Sequence, residues 1–389
     1  MTTRNNTTPY WRLSGFYFFY FASLGALIPY WGLYLKDIGF DAGAIGSLMA
    51  VIMATKIISP NIWGWIADHT GKRMAIVRIG SLCAVLAFIG VFYTRQFWWL
   101  ALVMLVFSFF WNAALPQFEA TTFNHLGTET HRYSSIRLWG SIGFVVAVWG
   151  LGELLEFTGM GILPAILLGL FIGIWLMSLW VPEDAAGHLS LDHEPLRKVL
   201  TQPAVLGLLA SCFFMQASHG PYYAFYSIYM SSHGYSLFII GLLWALGVIA
   251  EVIVFLFMHR LVPRFGLKRL LIVSLLLASL RWLMLGLFPD NLVLMLSAQC
   301  LHAATFGIYH AAAIQLIHYY FRGRHQGKGQ ALYSSLSFGA GGAIGTLLSG
   351  HAWESVGGEV IYMTAAVFSL IAALISWRSV DNPAFNQVK

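Results

Sequence analysis

Nine ionisable side chains lie inside long apolar stretches of this 389-residue chain, where an apolar environment makes a charge costly. They are Lys56, Glu119, Arg137, His219, Glu251, Arg281, His302, His310 and His318. An ionisable group at the centre of a bilayer costs roughly 2.5–3.5 kcal/mol, so it usually faces a cavity or a partner. These residues are therefore the first candidates for solute binding and for proton transfer.

The first predicted pair is Glu119 and Arg137. In a hairpin of two helices, residues equally far from the turn lie at equal depth, and the midpoint of this pair is Thr128, in a polar turn. A guanidinium can hold the carboxylate of a ligand through a two-point contact. A structural bridge near the end of the hairpin is the alternative. Arg137 is a better candidate for cargo than Lys56, which could snorkel or pair elsewhere.

The same reasoning places Glu251, Arg281 and His302 at equal depth along their helices. Glu251 and Arg281 are centred on Gly266, and Arg281 and His302 are centred on the turn that contains Asn291. A carboxylate or imidazole whose pKa depends on burial and on a mobile cation can load a proton on one side and release it on the other. A fixed ion-pair network that only holds the helices together is the alternative.

His219 and Tyr223 form a third candidate. His219 precedes Gly220-Pro221, where a helix break is predicted to free backbone groups to line a cavity. Both residues are therefore predicted to lie near a bound substrate.

The composition indicates an integral membrane protein. Hydrophobic residues form 58% of the sequence and charged residues 10%, with a mean hydropathy of +0.71, whereas soluble domains carry about 25% charged residues. The apolar runs are continuous and about 20 residues long, which favours helices over a barrel. The net charge of +6 could suggest a nucleic-acid partner. We expect none, because the cations lie in the turns between apolar runs.

Several chemistries lack the residues that they need. Cys83, Cys212 and Cys300 all lie in apolar segments, so they are interpreted as buried apolar side chains without disulfides. No Cys/His cluster has metal-ligand spacing and no phosphate-binding loop occurs, so no metal, cofactor or catalytic site is expected. Any energy for transport would come from an ion gradient, and the buried Glu and His favour protons over sodium.

The apolar runs predict twelve membrane spans, arranged as six, a linker and six. The first six are predicted at about 11–34, 43–67, 74–93, 97–122, 135–155 and 161–181. The second six are predicted at about 203–230, 237–258, 270–288, 292–320, 329–353 and 360–377. This gives an N-terminal bundle at 1–181, a cytoplasmic linker at 182–202 and a C-terminal bundle at 203–389.

The cations predict the orientation. With the N-terminus in the cytoplasm, 17 of the 22 Lys and Arg residues lie on the cytoplasmic side or at its interface, as the positive-inside rule requires. Both termini are therefore predicted to be cytoplasmic. The polar segment before residue 10 lacks the layout of a cleavable signal, so the first apolar run is expected to remain as a span.

A charged turn between the second and third spans reads Gly64-Trp-Ile-Ala-Asp68-His-Thr-Gly71-Lys72-Arg73, with a weaker copy at Arg264-Phe-Gly266-Leu-Lys268-Arg269. Six plus six spans with this turn resemble the major facilitator superfamily, which implies an all-α membrane fold of two pseudo-symmetric six-helix bundles. Pro116-Gln-Phe-Glu119 and Tyr133-Ser-Ser-Ile-Arg137-Leu-Trp-Gly140 are similar to the lactose permease branch. Leu243-Trp-Ala-Leu-Gly-Val-Ile-Ala-Glu251, Arg281-Trp282 and Leu301-His302 look like its 3-phenylpropionate transporter group.

The resemblance implies a proton-linked symporter of a bacterial inner membrane, expected to be a monomer, for 3-phenylpropionate or a related aromatic acid. A sugar or nucleoside is the alternative cargo. The resemblance also implies that Glu119 and Arg137 bind the substrate and that the Phe144 ring stacks on it. It assigns a conformational switch, acting through contacts across the halves, to Gly64, Asp68, Gly71, Lys72 and Arg73.

One position departs from the resemblance. Lactose permease carries its proton on a carboxylate three residues after the histidine that matches His302, and Thr305 stands at that position here. Because threonine does not titrate in this range, Glu251 or His302 would have to take the role.

Overall fold

The computed structural model describes residues 8–183, 196–322 and 325–381, and within them the chain is almost wholly helical. We label its α-helices α1 to α14. The first seven are α1 (Tyr10–Asp37), α2 (Ala42–Thr70), α3 (Arg73–Ile89), α4 (Phe97–Leu126), α5 (Tyr133–Thr158), α6 (Leu163–Trp180) and α7 (Leu196–Leu200). The others are α8 (Pro203–Ser232), α9 (Leu237–Phe265), α10 (Leu267–Leu287), α11 (Leu292–Cys300), α12 (Tyr309–Tyr320), α13 (His325–Ser334) and α14 (Gly342–Ser379). The π-helical segments Ala303–Ile308 and Ser335–Gly341 join α11 to α12 and α13 to α14.

These helices make twelve membrane crossings. Ten helical stretches in the described part are long and apolar enough to span a bilayer, and one of them, His325–Ser379, has 55 residues. It makes two crossings, because Gly357 interrupts it with a φ of 82° and a ψ of 159°. α8 is also long enough, with 30 residues, although buried polar side chains such as Gln216 lower its hydropathy. The predicted all-α membrane fold of two pseudo-symmetric six-helix bundles is confirmed, and the chain is a multi-pass membrane protein.

Some helix ends differ from the predicted ones. α1 continues to Asp37, past the predicted end at residue 34, and α2 passes through the polar Asp68 to Thr70. Polar side chains can continue a helix into the headgroup region, so an apolar run gives only the minimum length. In the third span the α-helix ends at Ile89, and the 3-10 turn Gly90–Phe92 continues the span to Phe92, close to the predicted end.

We call the end of the bundle where α1, α3, α5 and α8 begin the linker face, and the opposite end the distal face. Residues 184–195 of the predicted linker, and residues 1–7 and 382–389, lie outside the described residues. The domain boundaries and the cytoplasmic position of the termini therefore stay predictions.

The two halves pack backbone to backbone near the distal face. α5 crosses α9 at Gly152 and Gly241, where a Cβ on Gly152 would lie 2.7 Å from the Leu237 carbonyl oxygen. α14 crosses α2 at Gly350 and Gly46, where a Cβ on Gly46 would lie 2.7 Å from the Gly350 Cα. Such close approach requires small residues. We call these two crossings the distal seam.

A glutamate extends each crossing of the distal seam. Glu156, one turn beyond the seam glycine of α5, accepts a hydrogen bond from the Leu237 N–H through Oε2 at 2.7 Å. Glu354, one turn beyond the seam glycine of α14, accepts one from the Ala42 N–H through Oε1 at 3.5 Å. Each carboxylate thus caps the N-terminus of a helix in the other half. The two arrangements correspond under the pseudo-symmetry of the halves.

Candidate functional site

The α4–α5 hairpin brings Glu119 and Arg137 together, as predicted. Arg137 Nε lies 4.0 Å from Glu119 Oε1, and the Tyr133 hydroxyl donates to the same carboxylate oxygen at 3.3 Å. The exposed fractions of the side chains are 29% for Arg137 and 35% for Glu119. Water can therefore reach the pair. Its proximity is confirmed, and its role in substrate binding stays a prediction.

Arg137 lies flat against an aromatic ring of α1. Its Cζ is 3.7 Å from the centroid of the Phe21 ring and 5.6 Å from that of Tyr17. Gly140, one turn along α5, makes room for this arrangement, since a Cβ there would lie 2.7 Å from both Arg137 Nη1 and the Phe21 ring. Cation–π attraction holds one face of the guanidinium. Within the described part of the chain, the only polar contact of its N–H edge is the long one with Glu119.

Phe144 lies two turns farther along α5 than Arg137, within the packing of α5 against α1. Its Cδ2 would lie 3.3 Å from a Cβ on Gly25, and the residue is 6% exposed. The ring beside the Arg137 guanidinium is that of Phe21, which sequence reasoning missed. Contact between Phe144 and a cargo stays a prediction.

In the second half, Arg281 on α10 is fully buried. Its Nη1 contacts His302 Nδ1 at 3.1 Å and donates to Thr305 Oγ1 at 3.3 Å, and its Nη2 donates to Gln299 Oε1 at 3.2 Å. Thr305, the residue that departs from the lactose permease pattern, thus acts as a neutral acceptor for this guanidinium. A buried cation with this set of partners is held firmly in place.

Glu251 on α9 completes the second cluster, because its Oε2 lies 3.8 Å from His302 Nε2. Arg281 can only donate, so His302 Nδ1 accepts, and the hydrogen of the neutral imidazole then lies on Nε2, facing Glu251. The exposed side-chain fraction is 17% for Glu251 and 8% for His302. The predicted equal depth of Glu251, Arg281 and His302 is confirmed. Their role in proton transfer stays a prediction.

The π-helical segment Ala303–Ile308 begins directly after His302. π-Helical turns are rare and frequently occur at functional sites. α9 approaches this segment closely, since a Cβ on Gly307 would lie 3.3 Å from Glu251 Cγ. The Glu251–His302 contact is therefore formed where the backbone of the tenth crossing departs from regular α geometry.

His219 and Tyr223 lie on α8, which runs through Gly220-Pro221 without interruption, so the predicted helix break is wrong. α14 packs against this part of α8, and the Thr346 hydroxyl donates to the Gly220 carbonyl at 3.2 Å. His219 is fully buried, with Nδ1 2.9 Å from its own helix's Met215 carbonyl. Its Nε2 has no partner among the described residues. Substrate contact by His219 or Tyr223 stays a prediction.

Two further residues of the second cluster were not predicted as site residues. The Tyr222 hydroxyl donates to Gln299 Oε1 at 3.0 Å, and the Tyr222 ring centroid is 4.3 Å from Arg281 Cζ. Gln299 stands three residues before His302, a spacing that places both on one face of a helix. That spacing is the signal that could have identified Gln299.

The charged turn between α2 and α3 is held within the first half. Gly71 ends α2 with a φ of 66°, and Arg73 donates to Asp68 at 2.9 Å and to Gln117 at 2.8 Å. Glu183 accepts from the first free amides of α3. These contacts order the turn but do not cross to the second half, so the predicted switch role stays untested.

Two residues of the charged turn, Gly64 and Lys72, take little part in the contacts that order it. Gly64 has room around it, because a Cβ there would lie 3.8 Å from Gln117 Nε2, an ordinary contact. Lys72 is exposed at the start of α3.

Twelve crossings in two pseudo-symmetric halves, with ionisable clusters buried between helices, define a secondary transporter. The chain belongs to the MFS_1-like family, whose model matches residues 10–364. It is 29% identical over 359 residues to a probable 3-phenylpropionic acid transporter of Escherichia coli, covering 90% of this chain and 93% of that one. It is 26% identical over 374 residues to the maltose permease of Geobacillus stearothermophilus, covering 92% of each.

The fold is also that of a solved transporter. A crystal structure of a mutant form of the nucleoside transporter NupG superposes with a TM-score of 0.84 at 16% identity. The match covers 95% of this chain and 98% of that one.

Proposed function

We propose that this transporter imports 3-phenylpropionate or a related aromatic carboxylate together with protons, by alternating access around a central site. The probable 3-phenylpropionic acid transporter of Escherichia coli supports this cargo class, since the likeness extends over 90% of the present chain. The setting of Arg137 is the observation that carries the proposal.

The Arg137 guanidinium offers a carboxylate two parallel N–H donors at the edge that Phe21 leaves uncovered. Its contact with Glu119 is long, at 4.0 Å, so an incoming anion need not displace a strong pair. The Phe21 and Tyr17 rings lie on the same side of α1, 3.7 and 5.6 Å from Arg137 Cζ. A phenyl ring joined to the carboxylate by a short chain can pack against Phe21, which is partly exposed, whereas Tyr17 is fully buried beneath it.

For coupling, we assign the proton to Glu251. It is the most exposed member of the second cluster and the only carboxylate in it. Protonation removes the negative charge that faces His302 Nε2, and His302 in turn contacts Arg281 through Nδ1. The charge state of Glu251 is thereby transmitted to a fully buried cation, which links proton binding to helix packing.

The proposal places the protein in a bacterial inner membrane as a monomer with both termini in the cytoplasm. The concentration of Lys and Arg on the linker face supports this orientation. The central pair at Glu119 and Arg137 would then be nearer the cytoplasm than the distal seam.

A sugar or nucleoside is the second candidate cargo. Glu119 is 35% exposed beside Arg137, and a neighbouring carboxylate and guanidinium can accept from and donate to hydroxyl groups at the same time. The likeness to maltose permease supports a sugar, and the shared fold with NupG is compatible with a nucleoside.

Uptake by proteoliposomes with an imposed proton gradient tests the proposal. Radiolabelled 3-phenylpropionate, maltose and xanthosine are compared at equal concentration, with empty liposomes as the control for passive entry. We expect accumulation of 3-phenylpropionate alone, abolished by a protonophore. Accumulation of maltose or xanthosine without the aromatic acid would overturn the cargo assignment.

A further inference from the structure

A cavity of about 960 Å³ opens on the outside of the first half, at the linker face. It lies where the first turns of α1 and α5 meet the last turn of α6. Its lining includes Trp11, Arg12, Ser14, Phe18, Trp139 and Trp180. None of these residues belongs to the two clusters described above, so the cavity is separate from the proposed transport path.

The cavity faces the membrane. Trp11 is 70% exposed and Trp180 is 63% exposed, and both lie in the terminal turn of a crossing, where the hydrocarbon meets the headgroups. Indole rings prefer this depth because one edge is polar and the rest is apolar. The molecules that have access to this opening are therefore lipids of the leaflet at the linker face.

The polar groups in the cavity select for an anion. Arg12 is the one charged residue in its lining, and its Nη1 donates to the Trp180 carbonyl at 3.3 Å. A guanidinium has five donors, so further N–H groups remain for a ligand. Ser14 Oγ is buried at the cavity wall and has no hydrogen-bond partner among the described residues. A phosphate oxygen would satisfy such donors.

We infer that this cavity binds one anionic phospholipid, with the phosphate on Arg12 and an acyl chain along Phe18 and Met177. The acyl chain lies deeper in the membrane than the headgroup, because Phe18 is farther along α1 than Arg12 and Met177 lies one turn before the end of α6. Basic pockets between helices at the headgroup level are the established form of anionic lipid recognition. The cavity thus holds a lipid that tethers α1, α5 and α6 at the linker face.

Lipid binding to the purified full chain in detergent, measured by native mass spectrometry, tests the inference. Phosphatidylglycerol and phosphatidylcholine of identical acyl chains are titrated separately. We expect a preference for phosphatidylglycerol of about five-fold, which Arg12→Gln removes. Arg264→Gln is the matched control, because it removes an exposed cation from the same face outside the cavity, and the preference should survive it.

Three outcomes would overturn the assignment. Equal binding of the two lipids would show that no anion site exists, and equal loss in both variants would indicate diffuse surface charge. Displacement of phosphatidylglycerol by glycerol 3-phosphate would indicate a site for soluble phosphates. Trp11→Ala supplies an independent check, because it should weaken both lipids while keeping their ratio.

Discussion

At the scale of single residues, Arg137 has the strongest case for contact with cargo, because one face lies over Phe21 and its donor edge makes only a long contact, with Glu119, among the described residues. We expect Arg137→Gln to weaken binding of an aromatic carboxylate by about 10- to 100-fold, the value of a charge-assisted hydrogen bond. Uptake in proteoliposomes and binding by calorimetry measure the change. Arg137→Lys should recover part of the affinity, since the charge returns without the two-point geometry.

The control for this variant is Arg132→Gln, which removes a cation from the same hairpin. Arg132 pairs with Glu129 at 2.7 Å at the surface, so its loss should leave uptake close to normal. Unchanged affinity in Arg137→Gln would show that the residue serves only the packing of α5 on α1.

Glu251 carries the second residue-scale prediction. Glu251→Gln keeps the shape and the capacity to accept from His302 but cannot exchange a proton. We expect accumulation driven by a proton gradient to disappear, while exchange of labelled for unlabelled cargo continues. Glu153→Gln, at an exposed glutamate of α5, is the control. Full accumulation in Glu251→Gln would exclude this residue as the carrier.

The sequence predicts these residue pairs because hairpin geometry converts distance from a turn into depth. The equal depth of Glu119 and Arg137, and of Glu251, Arg281 and His302, follows from this rule, and the structure adds the contacts between them. The same rule gives no information about rotation between helices that are distant in sequence. It could not predict that Phe21 would stack on Arg137.

At the scale of helices, the two capping glutamates hold the distal seam closed. An N-cap contact contributes about 1 kcal/mol, so loss of one should raise the population open at the distal face by about five-fold. We expect Glu156→Ala and Glu354→Ala to act in the same direction. The effect should be larger for Glu156, because its hydrogen bond measures 2.7 Å and that of Glu354 measures 3.5 Å. Distances between spin labels at Phe157 and Val293, both exposed at the distal face, measure the opening.

The matched control for these variants is Glu153→Ala, which removes a carboxylate from the same end of α5. It should leave the distances unchanged. If neither capping variant widens the distribution, the glycine crossings alone determine closure.

The positions of the helices were predicted well, because they depend on the length of the apolar runs. Local features inside the helices were predicted less well, because they depend on packing against other helices. Gly220-Pro221 was expected to break a helix, yet α8 continues through it, packed closely against Gly345 and Thr346 of α14. The π-helical segment Ala303–Ile308 left no hydropathy signal, since its apolar residues suit either helix type. Both features depend on a neighbouring helix, which a single stretch of sequence does not specify.

At the scale of the whole molecule, the proposed single proton carrier, Glu251, and the proposed monoanionic cargo would make the transport cycle electroneutral. The membrane potential acts only on net charge moved, at about 2.3 kcal/mol per charge for 100 mV, which would correspond to about fifty-fold accumulation. We therefore expect a potassium diffusion potential at equal pH to drive no accumulation of 3-phenylpropionate, whereas a pH gradient clamped at zero potential should drive it. Accumulation by the potential alone would mean that additional positive charge accompanies the cargo, and a second carrier besides Glu251 would then be required.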